Sequence, residues 1–422
     1  MEKTQVTNKL LFNEPNVALK AEHLFCVYNE GTENQVVSLC DCNLTLEKNK
    51  IHYIIGSSGC GKSTLVNHFN GLLRSKYGNI FVQNNYKIGN DLFLNDLLIG
   101  VLDSTKDDLK HHFINPNLKH HNGYYVAFNN KYVKSLIKII FEAYYKIKIK
   151  KVIPLKTKHP SCAKFYYLVP VFDQYKIDII DTKTFDEINN VCQEKLRKNS
   201  ITYKRHFKKI KIKKIKNLKK TVGVVFQFPE YQLFKDTILK DVMFGPINLG
   251  IDKQKAKNDA IKWLNSLGIN DSFLNRSPFD LSGGQKRRVA ISGILAFDPD
   301  IIVFDEPTAG LDPSGEREIL NLIESAKKDK KTVIVISHNM DHVLEVADNV
   351  IVMNDGEIIK VAQSYDVFTD NNLLKLTSLN KPKIIEVADQ LVIQDPKFKK
   401  LFDYKPRTIE ELADAIEKII RI

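Results

Sequence analysis

The sequence predicts an α/β fold built around a parallel sheet, and three observations lead to it. A glycine-rich turn, GSSGCGKST at 56–64, lies between a short apolar strand and an amphipathic helix. Two further apolar, β-branched runs occupy 301–304 and 333–336, as is typical of buried parallel strands. Each run ends in polar side chains, and ligands of open α/β sheets bind at the carboxyl ends of strands. The three segments therefore predict a shared binding edge.

The composition is that of a globular protein. The chain has 422 residues, of which 43% are hydrophobic and 27% charged, which suits two or three domains. The first residues lack the apolar core of a signal peptide, and no apolar run approaches the roughly 18 residues of a membrane span. We therefore expect the protein to fold in the cytosol. Its six cysteines form no CxxC pair, so we expect reduced thiols and no zinc site.

The first turn has the spacing of a phosphate-binding loop. Gly56, Gly61, Lys62 and Ser63 fit the pattern GxxxxGK[ST] after a strand at 52–55. Glycines let several backbone N–H groups point at one anion, and the helix N-terminus adds partial positive charge. We expect Lys62 to neutralise the β- and γ-phosphates and Ser63 to ligate Mg²⁺. The predicted nucleotide-binding residues are Gly56, Ser57, Ser58, Gly59, Cys60, Gly61, Lys62, Ser63 and Thr64, followed by a helix with Leu65, Phe69 and Leu72/Leu73 on one face.

Two neighbouring acids end the strand at 301–304. Asp305 and Glu306 point to opposite sides, because adjacent residues of a strand alternate. We assign Asp305 to Mg²⁺ through the water shell of the ion, and Glu306 to general-base activation of a water on the γ-phosphate. Taken alone, such a pair also fits a solvated turn.

Two more strand ends supply neutral side chains. His338 follows the strand at 333–336 and is predicted to contact the γ-phosphate or the attacking water. Gln227 follows a strand at 222–226 and is predicted to contact Mg²⁺ or the same water without adding charge. Either residue taken alone also fits an ordinary surface position.

A second glycine-rich turn, LSGGQ at 281–285, opens another helix. Together with 56–64, 227, 305–306, 309–312 and 338, it resembles the ordered motifs of ABC-transporter ATPases. The resemblance implies a P-loop NTPase of ABC type, with a RecA-like core, an antiparallel β subdomain and an α-helical signature subdomain. In that family two ATPases sandwich ATP between one chain's phosphate loop and the other chain's signature turn. It therefore implies that Ser282, Gly283, Gly284 and Gln285 contact ATP held by a partner.

Two further residues near the first turn carry predictions. Tyr28 falls where the family places an aromatic residue that stacks on adenine, although a strand aromatic can also pack into the core. Cys60 lies beside Lys62 at a helix N-terminus, so we expect its thiol pKa to fall. On this view alkylation of Cys60 blocks ATP binding, and MgATP protects the thiol.

The segments FQFPEYQLF and FGPINLG resemble the second ATPase of energy-coupling factor (ECF) vitamin and metal importers. The resemblance implies an ATP hydrolase that drives uptake through a membrane T component, paired with a second ECF-type ATPase and only indirectly with a substrate-binding S component. It implies a peripheral location on the cytoplasmic face of the cell membrane. The alternatives are the ATPase of a conventional ABC importer and, less favoured, a non-transport ABC ATPase acting on nucleic acid. The transported substrate is not readable from these residues.

The resemblance covers 1–83 and 221–422 and leaves a lysine-rich insertion at 84–220. This insertion holds 29 Lys and Arg against 12 Asp and Glu, whereas the rest of the chain holds 34 against 38. Helical spacing at 132–145 and alternation at 144–155 indicate partial folding. A solvated elaboration, contact with anionic lipid and RNA binding all remain open. We divide the remainder into 221–360, the rest of the ATPase, and 361–422, a C-terminal region for ATPase pairing.

The segment after Gln227 combines acids with aromatic residues. Glu230, Asp236 and Asp241 lie beside Phe228, Tyr231 and Phe234, which suits a groove for an arginine-bearing helix of the membrane subunit. An ordinary helix with a solvated acidic face fits the same residues.

Overall fold

The computed structural model describes residues 15–29, 33–34, 36–73, 77–83, 86–90, 98–104, 123–128, 153–154, 167–171 and 215–421. The strands in these ranges are β1 Val17–Tyr28, β2 Val36–Glu47, β3 Ile51–Gly56, β4 Tyr77–Val82, β5 Tyr86–Asn90, β6 Leu98–Ser104, β7 Gly123–Phe128, β8 Ile153–Pro154, β9 Tyr167–Val171, β10 Val222–Val225, β11 Ile301–Asp305, β12 Thr332–Ile336, β13 Asn349–Asn354 and β14 Glu357–Ala362.

Most of the helices lie in the second half of the chain, between β10 and β13 and after β14. They are α1 Lys62–Phe69, α2 Ile215–Thr221, α3 Ile238–Asn248, α4 Lys253–Ser266, α5 Gly283–Leu295, α6 Pro313–Lys328, α7 Met340–Val346, α8 Ser364–Phe368, α9 Asn371–Thr377, α10 Lys383–Gln394, α11 Leu401–Tyr404 and α12 Ile409–Ile420. None of the helices in the described ranges is both long and apolar enough to cross a membrane.

The central sheet has six strands in the order β10-β11-β12-β3-β13-β14. The first five are mutually parallel, and β14 pairs antiparallel with β13. Strands β3, β10 and β12 are buried along their whole length, which explains their unbroken apolar sequences. The predicted α/β class is confirmed. Because the strands are parallel, the residues that follow β3, β10, β11 and β12 all lie at one edge of the sheet.

A second sheet is antiparallel, in the order β2-β1-β4-β5. Leu19, Leu24 and Leu39 from this sheet share a core with Ile54 of β3 and Phe69 of α1. The side of the central sheet that carries the first glycine-rich turn is thus covered by the antiparallel sheet, as the predicted β subdomain requires.

A helical unit comprises α3, α4 and α5, with its own core that includes Ile238, Val242, Leu264 and Val289. Helix α5 begins at the second glycine-rich turn, so the helical unit carries that turn. Buried residues near the far end of α5, Ile291 and Leu295, instead pack into the core of the central sheet. Helix α5 therefore joins the two cores.

The insertion contains an antiparallel sheet of its own, in the order β6-β7-β9-β8. The helix predicted at 132–145 lies outside the described residues, as does most of the alternating segment at 144–155. The lysine-rich run before β10 ends in α2, whose Leu218 is fully buried in the core beneath the antiparallel subdomain. This last turn of the run is therefore anchored to the ATPase body.

The C-terminal segment folds into helices around a small core of Ala388, Phe398, Leu401, Leu412, Ala415 and Ile419. Two hydrogen bonds hold the loop before α12 to α8 and to the end of α7. The Tyr365 hydroxyl donates to the carbonyl of Pro406 over 2.7 Å, and Arg407 Nη1 donates to the carbonyl of Ala347 over 3.0 Å.

One local prediction is wrong. Helix α1 ends at Phe69, and Leu72, expected on its apolar face, is 48% exposed. The Asn70 side-chain oxygen accepts from the Leu72 N–H, and Gly71 has a φ of 73°, so the chain turns away before another helical turn can form.

Candidate active site

A cleft of about 1010 Å³ lies at the strand-end edge of the central sheet. The predicted site residues that line it are Ser58, Gly59, Gly61, Lys62, Ser63, Thr64, Gln227, Asp305, Glu306 and His338. Gly56, Ser57, Cys60 and Tyr28 belong to the surrounding structure, and Ser282–Gln285 lie elsewhere. The parallel register brings the first group together, because β11, β12 and β3 are paired so that Asp305 lies beside Ile336, and Ile336 beside Ile54.

The first glycine-rich turn leaves no room for side chains at two positions. A Cβ on Gly56 would lie 2.2 Å from the carbonyl oxygen of Met353, and one on Gly61 would lie 2.4 Å from that of Ser38. Both residues have positive φ, 152° and 101° respectively. Glycine is therefore required here by contacts within this chain.

Lys62 is buried and turned into the loop. Its Nζ donates to the carbonyls of Gly56 and Ser57, each over 2.9 Å. These two carbonyls hold the ammonium group at the mouth of the turn. Charged phosphate oxygens are stronger acceptors than carbonyls, so a bound phosphate would replace them.

Ser63 and Asp305 meet across the cleft floor. The Ser63 hydroxyl lies 3.5 Å from Asp305 Oδ1. Burial raises the pKa of Asp305, which the Ser63 hydrogen bond and Lys62 partly oppose. Within the described ranges no group of three or more His, Cys, Asp or Glu residues is placed to hold a metal. A hydroxyl and one carboxylate are nonetheless a fitting partial ligand set for Mg²⁺, which keeps several waters and binds substrate phosphates.

Glu306 lies beside His338. Glu306 Oε1 is 3.2 Å from His338 Nε2, and burial raises the Glu306 pKa to about 7. Burial, with Lys62, lowers the pKa of His338. Burial and Lys62 therefore favour a neutral imidazole next to the carboxyl group. Glu306 has a φ of 50°, which is uncommon for a residue other than glycine.

The loop after β12 is fixed by its own side chains. Ser337 Oγ accepts from the Asn339 N–H over 3.0 Å, and Asn339 Oδ1 accepts from the N–H of Asp341 and His342 at the start of α7. This N-cap sets where His338 leaves the strand. A capping asparagine three residues beyond a strand is a readable signal that our sequence reasoning missed.

The second glycine-rich turn lies outside the cleft and is spatially open. Ser282 caps α5 by accepting from the Gln285 N–H, and Gln285 Oε1 accepts from the Ser282 N–H in a capping box. A Cβ on Gly283 or Gly284 would meet nothing within 4 Å, and neither residue has positive φ. No contact among the described residues requires glycine at these two positions.

Tyr28 is 40% exposed and belongs to a short chain of hydroxyl groups. Its hydroxyl lies 3.3 Å from Thr64 Oγ1, and Ser38 Oγ donates to the same Thr64 oxygen over 2.8 Å. The reading of Tyr28 as a core residue is thus excluded by its exposure. Ser38, which lines the cleft, was missed because no pattern in β2 distinguishes it.

The prediction that the Cys60 pKa falls is wrong. Cys60 is 4% exposed, and burial raises its pKa more than Lys62 and the backbone hydrogen bonds lower it. Its backbone carbonyl accepts from the N–H of Gly356, which holds the turn against the hairpin of β13 and β14. Among the described residues, Cys26, Cys40, Cys42 and Cys60 form no disulfide bond.

The C-terminal segment reaches the cleft as well. Asn380, Lys381, Lys383 and Glu386 line it, and the Lys383 N–H donates to Asp341 Oδ1 over 2.7 Å. Their sequence carries no signal for this position, because only the packing of α10 against α7 brings it there.

The segment after Gln227 uses its acids within the chain. Asp241 Oδ2 accepts from the N–H groups of Phe234 and Lys235, and Asp236 pairs with Lys240 over 2.6 Å. The aromatic side chains are the exposed part. Phe234 and Phe244 pack edge to face with centroids 4.8 Å apart, and Tyr231 is 85% exposed.

Comparisons with known proteins identify related chains. A family model described as ABC transporter matches residues 39–132 and 188–309. The energy-coupling factor transporter ATP-binding protein EcfA2 of Ureaplasma parvum is 47% identical over 412 residues, covering 95% of this chain and 93% of that protein. The protein of the same name from Mycoplasmoides gallisepticum is 38% identical over 403 residues, covering 96% and 92%. The structure of cbiO1 from Clostridium perfringens, part of an ABC transporter complex, aligns with a TM-score of 0.49 and 23% identity over 92% of this chain and 99% of that one.

Proposed function

The chain belongs to the energy-coupling factor transporter ATP-binding proteins of the ABC transporter family, and we propose that it hydrolyses ATP at a site completed by a second, similar ATPase. Membership of the family makes it an ATP hydrolase coupled to transport. The identity of the partner, the roles of individual residues and the docking face are our proposals.

The contrast between the two glycine-rich turns carries the proposal. The turn at 56–61 forms part of the cleft, whereas Ser282–Gln285 lie outside it and face open space at Gly283 and Gly284. A helix N-terminus with free N–H groups and no obstructing side chains is suited to an anion. We assign it to the γ-phosphate of ATP held by the partner, whose own signature turn contacts the ATP bound here.

In the cleft, Lys62 exchanges its two carbonyl acceptors for phosphate oxygens. Ser63 and Gln227 would supply oxygen ligands for Mg²⁺, and Asp305 would hold the ion through its water shell; the bound ion would neutralise charge on the β- and γ-phosphates. Glu306 orients and deprotonates the attacking water, and His338, 3.2 Å from Glu306, contacts the γ-phosphate. Tyr28 stacks on adenine from beside Thr64.

The exposed aromatic patch, Phe228, Tyr231, Phe234 and Phe244, is the proposed docking face for the membrane T component. Aromatic residues exposed together are enriched at interface cores. Asp241 is already bonded to the chain's own N–H groups and Asp236 to Lys240, so docking rests on the aromatic side chains. The substrate-binding S component is engaged only through the T component, and the protein is held at the cytoplasmic face of the membrane.

Replacement of Glu306 by glutamine tests the assignment. In the purified pair with its partner ATPase, Glu306→Gln should retain MgATP binding and lose hydrolysis by at least about 100-fold, because the amide cannot accept the proton. The matched control is Glu318→Gln, an exposed carboxylate on α6 paired with Arg288 over 3.5 Å, which should turn over at the wild-type rate. Wild-type turnover by Glu306→Gln would refute the general-base role.

Two measurements test the partners. The chain held as a monomer should bind ATP but hydrolyse it far more slowly than the pair. Equal rates of hydrolysis would contradict the proposal that two chains share the ATP site. Purification from native membranes should recover one T component; recovery of two conventional permease subunits instead would contradict the ECF assembly.

A further inference from the structure

Arg287 occupies an unusual position for a charged residue. It lies in the first turns of α5, two residues after the signature turn ends, and is only 5% exposed. A buried guanidinium is costly unless its donors are used. The hydrogen-bond acceptors of the Arg287 guanidinium therefore indicate what this residue does.

Those partners are backbone carbonyls of one turn. Nη1 donates to Ala309 over 2.9 Å, and Nη2 donates to Pro307 over 2.5 Å with a longer contact of 3.4 Å to Glu306. The three carbonyls belong to the segment 306–309 that follows β11. We propose that Arg287 is a positioning residue that fixes the turn carrying Glu306 and links it to the signature helix.

The geometry of the turn explains why it needs such a clamp. Glu306 adopts a left-handed conformation, and its N–H donates to the Ile336 carbonyl over 3.1 Å. The turns that follow are closed by Ala309 N–H to Glu306 O over 3.3 Å and by Leu311 N–H to Thr308 O over 3.2 Å. Left-handed backbone is unfavourable for a residue other than glycine, so the surrounding structure must hold it. Arg287 supplies that restraint from the opposite side.

Glu230 supplies the compensating charge. It follows Gln227 in the short 3₁₀ helix Pro229–Gln232, and its charge opposes the burial of Arg287. Glu230 Oε2 and Arg287 Nε are both buried without a hydrogen-bond partner. The two groups thus attract each other without being bonded. Arg287 thus bonds the signature helix to the Glu306 turn, and the charge of Glu230 acts on it from the segment after Gln227.

The inference rests on the proposed roles of Glu306 and the signature turn. It predicts that disturbing Arg287 changes the rate of hydrolysis rather than the binding of ATP, because no bond of Lys62, Ser63 or Thr64 involves it. A residue that merely stabilised the fold would instead lower thermal stability and ATP binding together.

The test is Arg287→Lys in the full chain paired with its partner ATPase. A lysine keeps the charge but has one nitrogen, so it cannot occupy both the Nη1 position facing Ala309 and the Nη2 position facing Pro307. We expect kcat to fall at least tenfold, the KM for ATP to stay within about twofold, and the thermal midpoint to change little. The control is Arg288→Lys, the same exchange one residue later at a partly exposed side chain, with kcat within about twofold of wild type.

A second variant keeps the test decisive if Arg287→Lys folds poorly. Glu230→Gln should lower kcat about threefold with KM unchanged, and the double variant should be no slower than Arg287→Lys alone, since both act on one clamp. Unchanged kcat in Arg287→Lys, or equal losses in kcat and ATP binding, would overturn the inference. If the wild-type pair itself hydrolyses no ATP, the proposed function fails instead.

Discussion

The two glycine-rich turns look alike in sequence and differ in what requires their glycines. Gly56 and Gly61 have positive φ and abut the carbonyls of Met353 and Ser38. Gly283 and Gly284 have ordinary helical backbone and open space around them. The glycines of the first turn are thus required by contacts within the chain, whereas no contact among the described residues requires those of the second. Under the proposed function, the first turn holds the phosphates of the chain's own ATP, and the second turn contacts ATP that a partner holds.

The largest expected effect is at the first turn. Gly61→Ala should destabilise the chain by about 3 kcal/mol or more, because the new methyl group meets the Ser38 carbonyl and the residue must keep a positive φ. ATP binding by the isolated chain should be lost. Denaturant unfolding and nucleotide titration measure the two effects, and near-normal binding would contradict the proposed role of this turn.

Gly284→Ala should show the opposite profile. Alanine favours helix by up to about 1 kcal/mol over glycine, so the isolated chain should be as stable as wild type or more stable and should bind ATP normally. Hydrolysis by the pair should fall about 100-fold, because the methyl group enters space reserved for the partner's ATP. Full activity in the pair would indicate that the turn contacts no ligand.

The helices after the two turns also differ, since α1 buries a histidine where α5 buries an arginine. Burial lowers the pKa of His68, whose Nδ1 lies 2.7 Å from the Thr64 carbonyl. Its contribution to stability is therefore complete above the unfolded pKa of 6.5 and is lost as pH falls from there towards the lower folded pKa.

We expect the free energy of unfolding to drop by about 1.4 kcal/mol per pH unit below 6.5 from this group. His52, also buried with a lowered pKa, adds to the slope. Denaturant unfolding between pH 7.5 and 5.5 measures it. His68→Gln should reduce the slope of the unfolding free energy against pH by the contribution of one proton. An unchanged slope would show that burial does not lower the pKa of His68.

The smallest expected effect concerns the hydroxyl chain beside the first turn. Ser38→Ala removes the donor to Thr64 and should weaken ATP binding by about fivefold, or roughly 1 kcal/mol. Ser282→Ala is the matched change at the second turn. It should cost about 1 kcal/mol of stability through the lost cap and leave ATP binding by the isolated chain unaltered. If Ser38→Ala and Ser282→Ala weakened ATP binding by the isolated chain equally, the two turns would not differ in their proposed roles.

Much of the site was predictable because each of its motifs is local. Lys62 and Ser63 follow β3, Asp305 ends β11 and Glu306 follows it, and His338 comes just after β12, as the apolar runs indicated. Parallel pairing brings the ends of these strands together, so the residues become neighbours and no distant contact has to be known. The helix α1 was predicted too long, because the turn at Asn70 and Gly71 outweighs the apolar periodicity.

Other features depend on distant contacts. The pKa of Cys60 depends on burial, which the adjacent Lys62 does not reveal. Arg287 reads as one cation of a basic run, KRR, until the fold places it under the carbonyls of Pro307 and Ala309. The sheet β6-β7-β9-β8 of the insertion pairs strands separated by long stretches of chain.

The sequence by itself determined the fold class, the phosphate loop and the strand-end acids, because each of these is encoded in a few consecutive residues whose backbone geometry and chemistry are inseparable. Only the tertiary structure decided which glycines its own packing demands, which charge is buried under the Glu306 turn, and which segment of the C-terminal region lines the cleft. Burial and close approach are properties of neighbours in space, and residues far apart along the chain supply those neighbours.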